Sequence, residues 1–321
     1  MPAVRPFDRR VPHGIVVAAL GSHAGVPDPL AVTAISTLDI DTWQPVVSDA
    51  DTDRYAHRLE SGGVLVLPRL AFVLTTDERR FLDVRWSDGK AKNISLDGDA
   101  IKGARGSAAE VAAIGAMVSR FAAQASALIA ALFPRYAAHL KRARTSYRPQ
   151  PATGRDVSWR KDDARLHVDA FPSRPNRGER ILRVFTNVNP DGMPRVWRIG
   201  EDFEAMASRL LPRVRRPLPG EAAVLRALSV TKSTRSEYDH LMLGLHDAAK
   251  ADVDYQAHSP QQEVRFAPGT TWICYSDQVM HAAASGQFMF EQTIHLPLSA
   301  LYVRERAPLA ILERLTGRRL A

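Results

Sequence analysis

One cysteine, Cys274, stands in the 321 residues of this chain, which excludes an internal disulfide framework. It lies in the apolar run TTWICY, residues 270–275, so the expectation is a buried, inert thiol and not a nucleophile. The lack of disulfides fits a reducing cytoplasm. No stretch approaches the roughly 20 consecutive apolar residues of a membrane-spanning helix, so the chain reads as soluble or peripheral. Arg9 and Arg10 precede an apolar run of residues 15–20 only, with Pro12 and His13 between, which is too little for an export signal. Aromatic residues are 7% of the chain and do not interleave with the basic ones, as the stacking platforms of single-strand binders require. Nucleic acid is therefore not an expected partner.

What is present belongs to a globular protein: 45% hydrophobic and 24% charged residues, with length enough for a sizeable core. The net charge of +8 is concentrated, since residues 135–198 hold fifteen Arg and Lys against six Asp and Glu. A basic field of this kind suits an anionic substrate such as a sugar acid or a phosphate.

The same basic stretch contains a His-x-Asp pair, His167 and Asp169. Pro172, Pro175 and Gly178 follow at once, so the pair belongs at a strand end or loop that faces a cavity. A third donor, His281, comes after a Pro268-Gly269 turn and an apolar strand. Two imidazoles and one carboxylate are the donor set that holds non-haem Fe(II) and leaves coordination positions open. In residues 181–189 the period-2 alternation puts Arg183, Asn187 and Asn189 on one face with Ile181 and Phe185, and Leu182, Val184, Thr186 and Val188 on the other. The mixed face points to a polar cavity, because a charge is costly to bury unpaired. Residues 194–199 read as a returning strand with Arg195 and Trp197 on a shared face.

The remaining elements are coarser. Residues 1–40 read as a loosely ordered lead-in, 51–60 as a short helix, 64–67 as a buried strand that 70–74 extends, and 107–133 as a helix opened by the capping box of Ser107 and Glu110. A second, basic helix is expected over 135–144, then an extended linker over 147–151 that delivers Arg148. Residues 200–255 read as a helical insertion in which His240 and His246 are structural. Strands over 264–266, 271–275 and 288–296 complete an α+β chain whose core is a double-stranded β-helix, or jelly roll, with packed helices. Residues 41–300 form its single domain. The tail, 301–321, is a basic amphipathic helix able to lie on an anionic membrane or to dock on its own protein.

The blocks LHVDAFPSRPNRGERILRVFTNVNPDGMPRVWRIGEDFE, FAPGTTWICYSDQVMHAAASGQFMFEQTIHLP and LERLTGRRL resemble the Kdo hydroxylases, from about Trp43 to the C-terminus. That resemblance implies an Fe(II)- and 2-oxoglutarate-dependent dioxygenase that uses O2 to hydroxylate the Kdo sugar at carbon 3. The substrate is a Kdo-bearing lipid A precursor at the cytoplasmic face of the inner membrane, with peripheral membrane contact. It assigns His167, Asp169 and His281 as metal ligands and catalytic centre. Many relatives carry a basic residue about ten positions after the distal histidine to hold the 2-oxoglutarate carboxylate. Here that position is Glu291, and residues 285–298 contain no Arg or Lys. Arg183 is the substitute, with Arg148 and Arg195 as further candidates and Trp197 and Gln292 completing the pocket. A dioxygenase acting on another anionic substrate and a non-enzymatic basic binding module are the alternatives.

Overall fold

The computed structural model describes residues 32–321 except 99, 155 and 156. The charged and apolar run of residues 9–20 therefore lies outside the described residues.

In chain order, β1 (Ile35–Thr37), α1 (Asp49–Glu60) and β2 (Val64–Leu67) come first, then β3 (Ile94–Asp97), β4 (Ala100–Lys102), α2 (Ala108–Leu132), α3 (Pro134–Ala137) and β5 (Lys141–Arg148). The middle of the chain runs through β6 (Arg180–Asn187), β7 (Arg195–Gly200), α4 (Phe203–Leu210), α5 (Glu221–Ala227), α6 (Glu237–Ala251) and α7 (Val253–His258). Strands β8 (Gln261–Phe266), β9 (Thr271–Tyr275), β10 (His281–Ser285) and β11 (Met289–Leu296) follow, and α8 (Pro308–Thr316) ends the chain.

Eight strands form one sheet in the order β1-β2-β9-β6-β11-β5-β3-β4, and β10-β7-β8 form a second. The two face each other as a jelly roll, and Phe185, Trp197, Trp272, Cys274 and Met289 fill the space between them. On the outer face of the large sheet α1 and α2 bury Leu59, Phe121 and Leu128 against Leu182, Val184 and Phe290. On the outer face of the small sheet α4, α6 and α8 pack Phe203, Met206, Leu245 and Leu312 against Leu166, Val168, Met280 and Ala282. The result is four layers, helix, sheet, sheet, helix, with the cavity between the sheets.

The Ser107–Glu110 capping box forms as expected, the Ser107 N–H donating to Glu110 Oε2 at 2.8 Å. Helix α2 corrects another expectation. Its 25 residues are long and apolar enough to cross a bilayer. Ile114, Met117, Phe121 and Leu128 are instead buried in the core against the sheet.

Local propensity misled in three further places, and the structure chooses between the two fates expected for the tail. The basic helix expected over 135–144 is only the single turn α3, and 141–148 is β5, paired with β11 and β3. Arg, Lys and Ala favour helix weakly, and two neighbouring strands outweigh that preference. Arg148 accordingly ends a strand and is not carried by a linker. Residues 70–74 bury Leu70, Phe72 and Leu74 without forming a strand. Residues 35–37 of the expected lead-in form β1, parallel to β2. The tail docks on the protein: Ile311 and Leu312 are buried, and Arg314 and Arg318 pair with Glu204 and Glu237 at 2.7 and 2.6 Å. Its apolar face is therefore not free for a membrane.

Candidate active site

His167 and His281 exchange two backbone hydrogen bonds, 3.0 Å from His167 N–H and 2.9 Å from His281 N–H, as one antiparallel bridge at the mouth of the small sheet. Two residues on, the Asp169 N–H donates to the Ser276 carbonyl at 2.7 Å. This stitching brings residues 114 apart in sequence side by side. One nitrogen from each histidine and one oxygen from Asp169 lie within 4.8 Å of one another. Nδ1 of His167 lies 2.7 Å from the Arg165 carbonyl and Nδ1 of His281 lies 2.8 Å from the Val279 carbonyl. A carbonyl accepts only from N–H, so the proton sits on Nδ1 and each Nε2 keeps a lone pair free for a metal. Burial, and then the neighbouring imidazole, pushes His167 well below the usual histidine range; burial also lowers His281. Both are neutral ligands at neutral pH. Burial opposes ionisation of Asp169, but Arg183 beside it holds the carboxyl well below the usual range.

The cluster opens into a cavity of about 120 Å³ lined by Lys92, Arg148, Arg183, Arg195, Trp197 and Asp163 among others. Strand register explains the lining. Arg183 and Phe185 on β6 face inward, and β11 sets Glu291 opposite Phe185 on one side and Ser146 on the other, diagonal to Arg183 and Arg148. Glu291 pairs with both arginines. Arg183 also reaches Asp169, 2.9 Å from Nη2 to Oδ2. Asp163 pairs with Lys92 and lies 3.3 Å from Arg148. Its carboxyl is held well below the usual range, burial opposing and Lys92 and Arg148 prevailing. Burial and then Arg148 pull the Lys92 amine down to about 8. Arg195 has no carboxylate partner among the described residues; its one acceptor is the Gly286 carbonyl at 3.0 Å. Gly286 is required there, because at φ +109° a Cβ would stand 2.8 Å from the Arg195 side chain.

Four buried donors around this cavity have no hydrogen-bond partner: Nε of Arg148, Arg183 and Arg195 and Nε1 of Trp197. Buried polar groups are almost always satisfied, so a cluster of four defines what the cavity is built to receive. As donors they call for an anion. The Asp169 carboxylate, paired with Arg183, stands beside two free imidazole nitrogens, and this set calls for a cation. A divalent metal with a chelating dicarboxylate fits both.

Two expected residues fall differently. Trp197 stacks on His281, centroids 5.1 Å apart at 26°, and so braces a ligand as well as lining the pocket. Gln292 is not in the cavity: its register with Val184 turns it to the helix side, where its Oε1 accepts from Thr145 at 2.6 Å. Adjacent residues on a strand point to opposite faces, and Glu291 has the inward one. His240 Nε2 donates to the Arg215 carbonyl at 2.8 Å, while His246 packs edge-on to His167 at 5.4 Å between centroids. Cys274 is buried and its thiol is pushed far up by that burial. Lys92 and Asp163 were not legible: a lysine in a turn-rich stretch and an aspartate in a charged run look like surface residues, and only the fold brings them together.

A jelly roll with two histidines and one carboxylate at its mouth and a cationic inner wall is the arrangement of the non-haem Fe(II), 2-oxoglutarate-dependent dioxygenases. Residues 42–319 match the 3-deoxy-D-manno-oct-2-ulosonic acid (Kdo) hydroxylase family. Solved structures of the Kdo hydroxylase KdoO agree. The form with alpha-ketoglutarate and Fe(III) is 45% identical, covers 90% of this chain and 98% of its own, and superposes with a TM-score of 0.86. The cobalt(II) form is 46% identical, with 90% and 97% covered and a TM-score of 0.87. No curated protein matches the chain. The chain belongs to the Kdo hydroxylase family.

Proposed function

We propose that this protein hydroxylates carbon 3 of a Kdo sugar on a lipid A precursor, using Fe(II), 2-oxoglutarate and O2, at the cytoplasmic face of the inner membrane. The observation that carries the chemistry is the cavity whose lining combines four donors without partners with a carboxylate and two free imidazole nitrogens. His167, Asp169 and His281 would hold the metal. When bound, the ferrous ion and its co-substrate supply the oxidising power: 2-oxoglutarate becomes succinate and CO2, one oxygen atom of O2 enters succinate and the other enters the sugar C–H bond.

The chain's own residues bind and orient. Arg183 keeps Asp169 ionised and in place, and Trp197 fixes the plane of His281. Arg195, the buried guanidinium without a carboxylate, is the primary anchor for the co-substrate's far carboxylate. Arg148, shared between Glu291 and Asp163, stands beside it. The lining holds four cations, Lys92, Arg148, Arg183 and Arg195, against Asp163 and Asp169, with Glu291 paired to two of them, so the site retains positive charge for a dianion.

A second cavity of about 420 Å³ adjoins the first at Arg148 and Arg183, and is lined also by Glu291, Asn93, Arg144, Phe171, Arg174 and Asn176. Its size and polar lining suit an acidic sugar. Arg144 and Arg174 at its edge share Asp97, at 3.6 and 3.5 Å, and are half-exposed, placed for the sugar carboxylate or a lipid phosphate.

Mass spectrometry of Kdo-bearing lipid A precursor, incubated with protein, Fe(II) and 2-oxoglutarate first without and then with O2, tests the reading. The expected product is one oxygen atom heavier, and needs O2, 2-oxoglutarate and an intact His281. Succinate formed while the lipid stays unchanged overturns the substrate; no succinate from folded, iron-loaded protein overturns the reaction.

A further inference from the structure

Residues 209–235 lie between α4 and α6 and include α5. They carry seven Arg and Lys against one acidic residue, Glu221. Helix α5 buries none of its side chains. Four large apolar side chains in this short stretch are exposed instead: Leu218 at 67%, Val224 at 56%, Leu228 at 70% and Val230 at 51%. Val224 on α5 and Leu228, the residue that caps its end, are four apart and stand on the same face. Single exposed apolar residues are ordinary, but a cluster on a helix with no buried side is a contact surface.

Charge selects the partner. Arg209, Arg213 and Arg215 are engaged by Glu201, Asp252 and Glu221. Arg216, Arg226 and Lys232 are exposed and meet no carboxylate among the described residues. The stretch has no Trp, Tyr or Phe, the side chains that anchor protein–protein contacts. Aliphatic side chains among unpaired cations match the boundary of an anionic bilayer, where acyl chains receive the first and phosphate headgroups the second.

Its position gives this surface a use. The Lys232 N–H donates to the Ser173 carbonyl at 2.8 Å, and Arg235 Nη2 donates to the Pro172 carbonyl at 2.7 Å. Pro172 and Ser173 line the larger cavity. The exposed stretch is thus bonded to the rim of that cavity, a few residues beyond Asp169.

We infer that residues 214–232, and not the C-terminal tail, form an anionic-membrane docking element that seats the rim of the larger cavity on the lipid surface. The inference deepens the proposed function and rests on a lipid-borne substrate. Docking at the rim lets a headgroup sugar enter the cavity while its acyl chains stay in the bilayer.

Flotation of the full-length protein with vesicles tests this, comparing phosphatidylglycerol with phosphatidylethanolamine against phosphatidylcholine alone. The comparison is with the double variant Val224→Asp, Leu228→Asp, whose exposed side chains leave the thermal melt unchanged. Binding to the anionic vesicles that falls with added salt, and at least tenfold in the variant, is expected. No binding by the wild-type chain overturns the inference, as does equal binding by the variant. Lipid-free self-association that the variant abolishes also overturns it, making the patch a contact between copies. With Kdo-lipid in detergent the variant should release succinate at the wild-type rate, and with the lipid in vesicles at least tenfold more slowly. If the wild-type chain turns over neither preparation, the substrate reading fails, and flotation still decides whether the surface binds lipid.

Discussion

Glu291 stands in the cavity wall, and its two oxygens join Arg148 to Arg183. A carboxylate there holds two buried guanidiniums close together, which their mutual repulsion would otherwise prevent. Removing it leaves charge buried without a partner, which costs about 3–5 kcal/mol. Glu291→Gln is therefore expected to lower the urea midpoint by a loss of that size, partly restored by 2-oxoglutarate, whose carboxylates can take up the freed arginines. An unchanged midpoint would show that Glu291 is dispensable to the wall. Arg195→Ala is expected to act otherwise: KM for 2-oxoglutarate rises at least tenfold while Fe(II) affinity, read in the absence of the co-substrate, stays within twofold. A loss of iron binding in this variant would place Arg195 among the supports of the ligands instead.

Among the elements, the passage from α1 into β2 is tightly constrained. A Cβ on Gly63 would lie 2.6 Å from the Arg58 carbonyl, a backbone atom that cannot turn aside. Gly63→Ala should then shift β2 against β9 and cost more than about 2 kcal/mol. Gly192→Ala, at φ +76° with open space around it, should cost about 1 kcal/mol, from backbone strain alone. Equal losses in thermal unfolding of the two variants would contradict this. Helix α2 and strand β5 show why element type was legible in one case and not the other. The capping box and 3.6-residue repeat of α2 are local signals, so residues 107–133 could be read directly. Strand β5 exists because β11 and β3 flank it, and neither partner leaves a mark in KRARTSYR.

For the whole molecule, the metal site is where the two sheets and the insertion meet. His167 comes before β6, His281 begins β10, and α6 closes over them with His246. Ligands that bind only the folded chain stabilise it by mass action, about 2.7 kcal/mol at a hundredfold excess over Kd. Under anaerobic conditions Fe(II) with 2-oxoglutarate is expected to raise the melting temperature, and EDTA or His281→Ala to cancel the rise. A rise that survives His281→Ala would place the ion elsewhere.

The donor set His167, Asp169 and His281, the alternating face of β6 and the basic balance around them could be read from sequence, because residue type and strand period are local properties of the chain. The jelly roll could be expected from the strand-rich second half and from resemblance. What tertiary structure alone decided is which charges meet. Lys92 and Asp163 are 71 residues apart and form one pair, Glu291 satisfies two arginines from different strands, and Gln292, its immediate neighbour, is turned away. Burial and strand register decide these pairings, and both depend on contacts between segments that are remote in sequence. For the same reason the sequence left open whether α8 docks on the protein or on a membrane, and gave no sign of the exposure of α5: both helices carry Arg beside Leu, and only the packed protein decides which apolar face is covered.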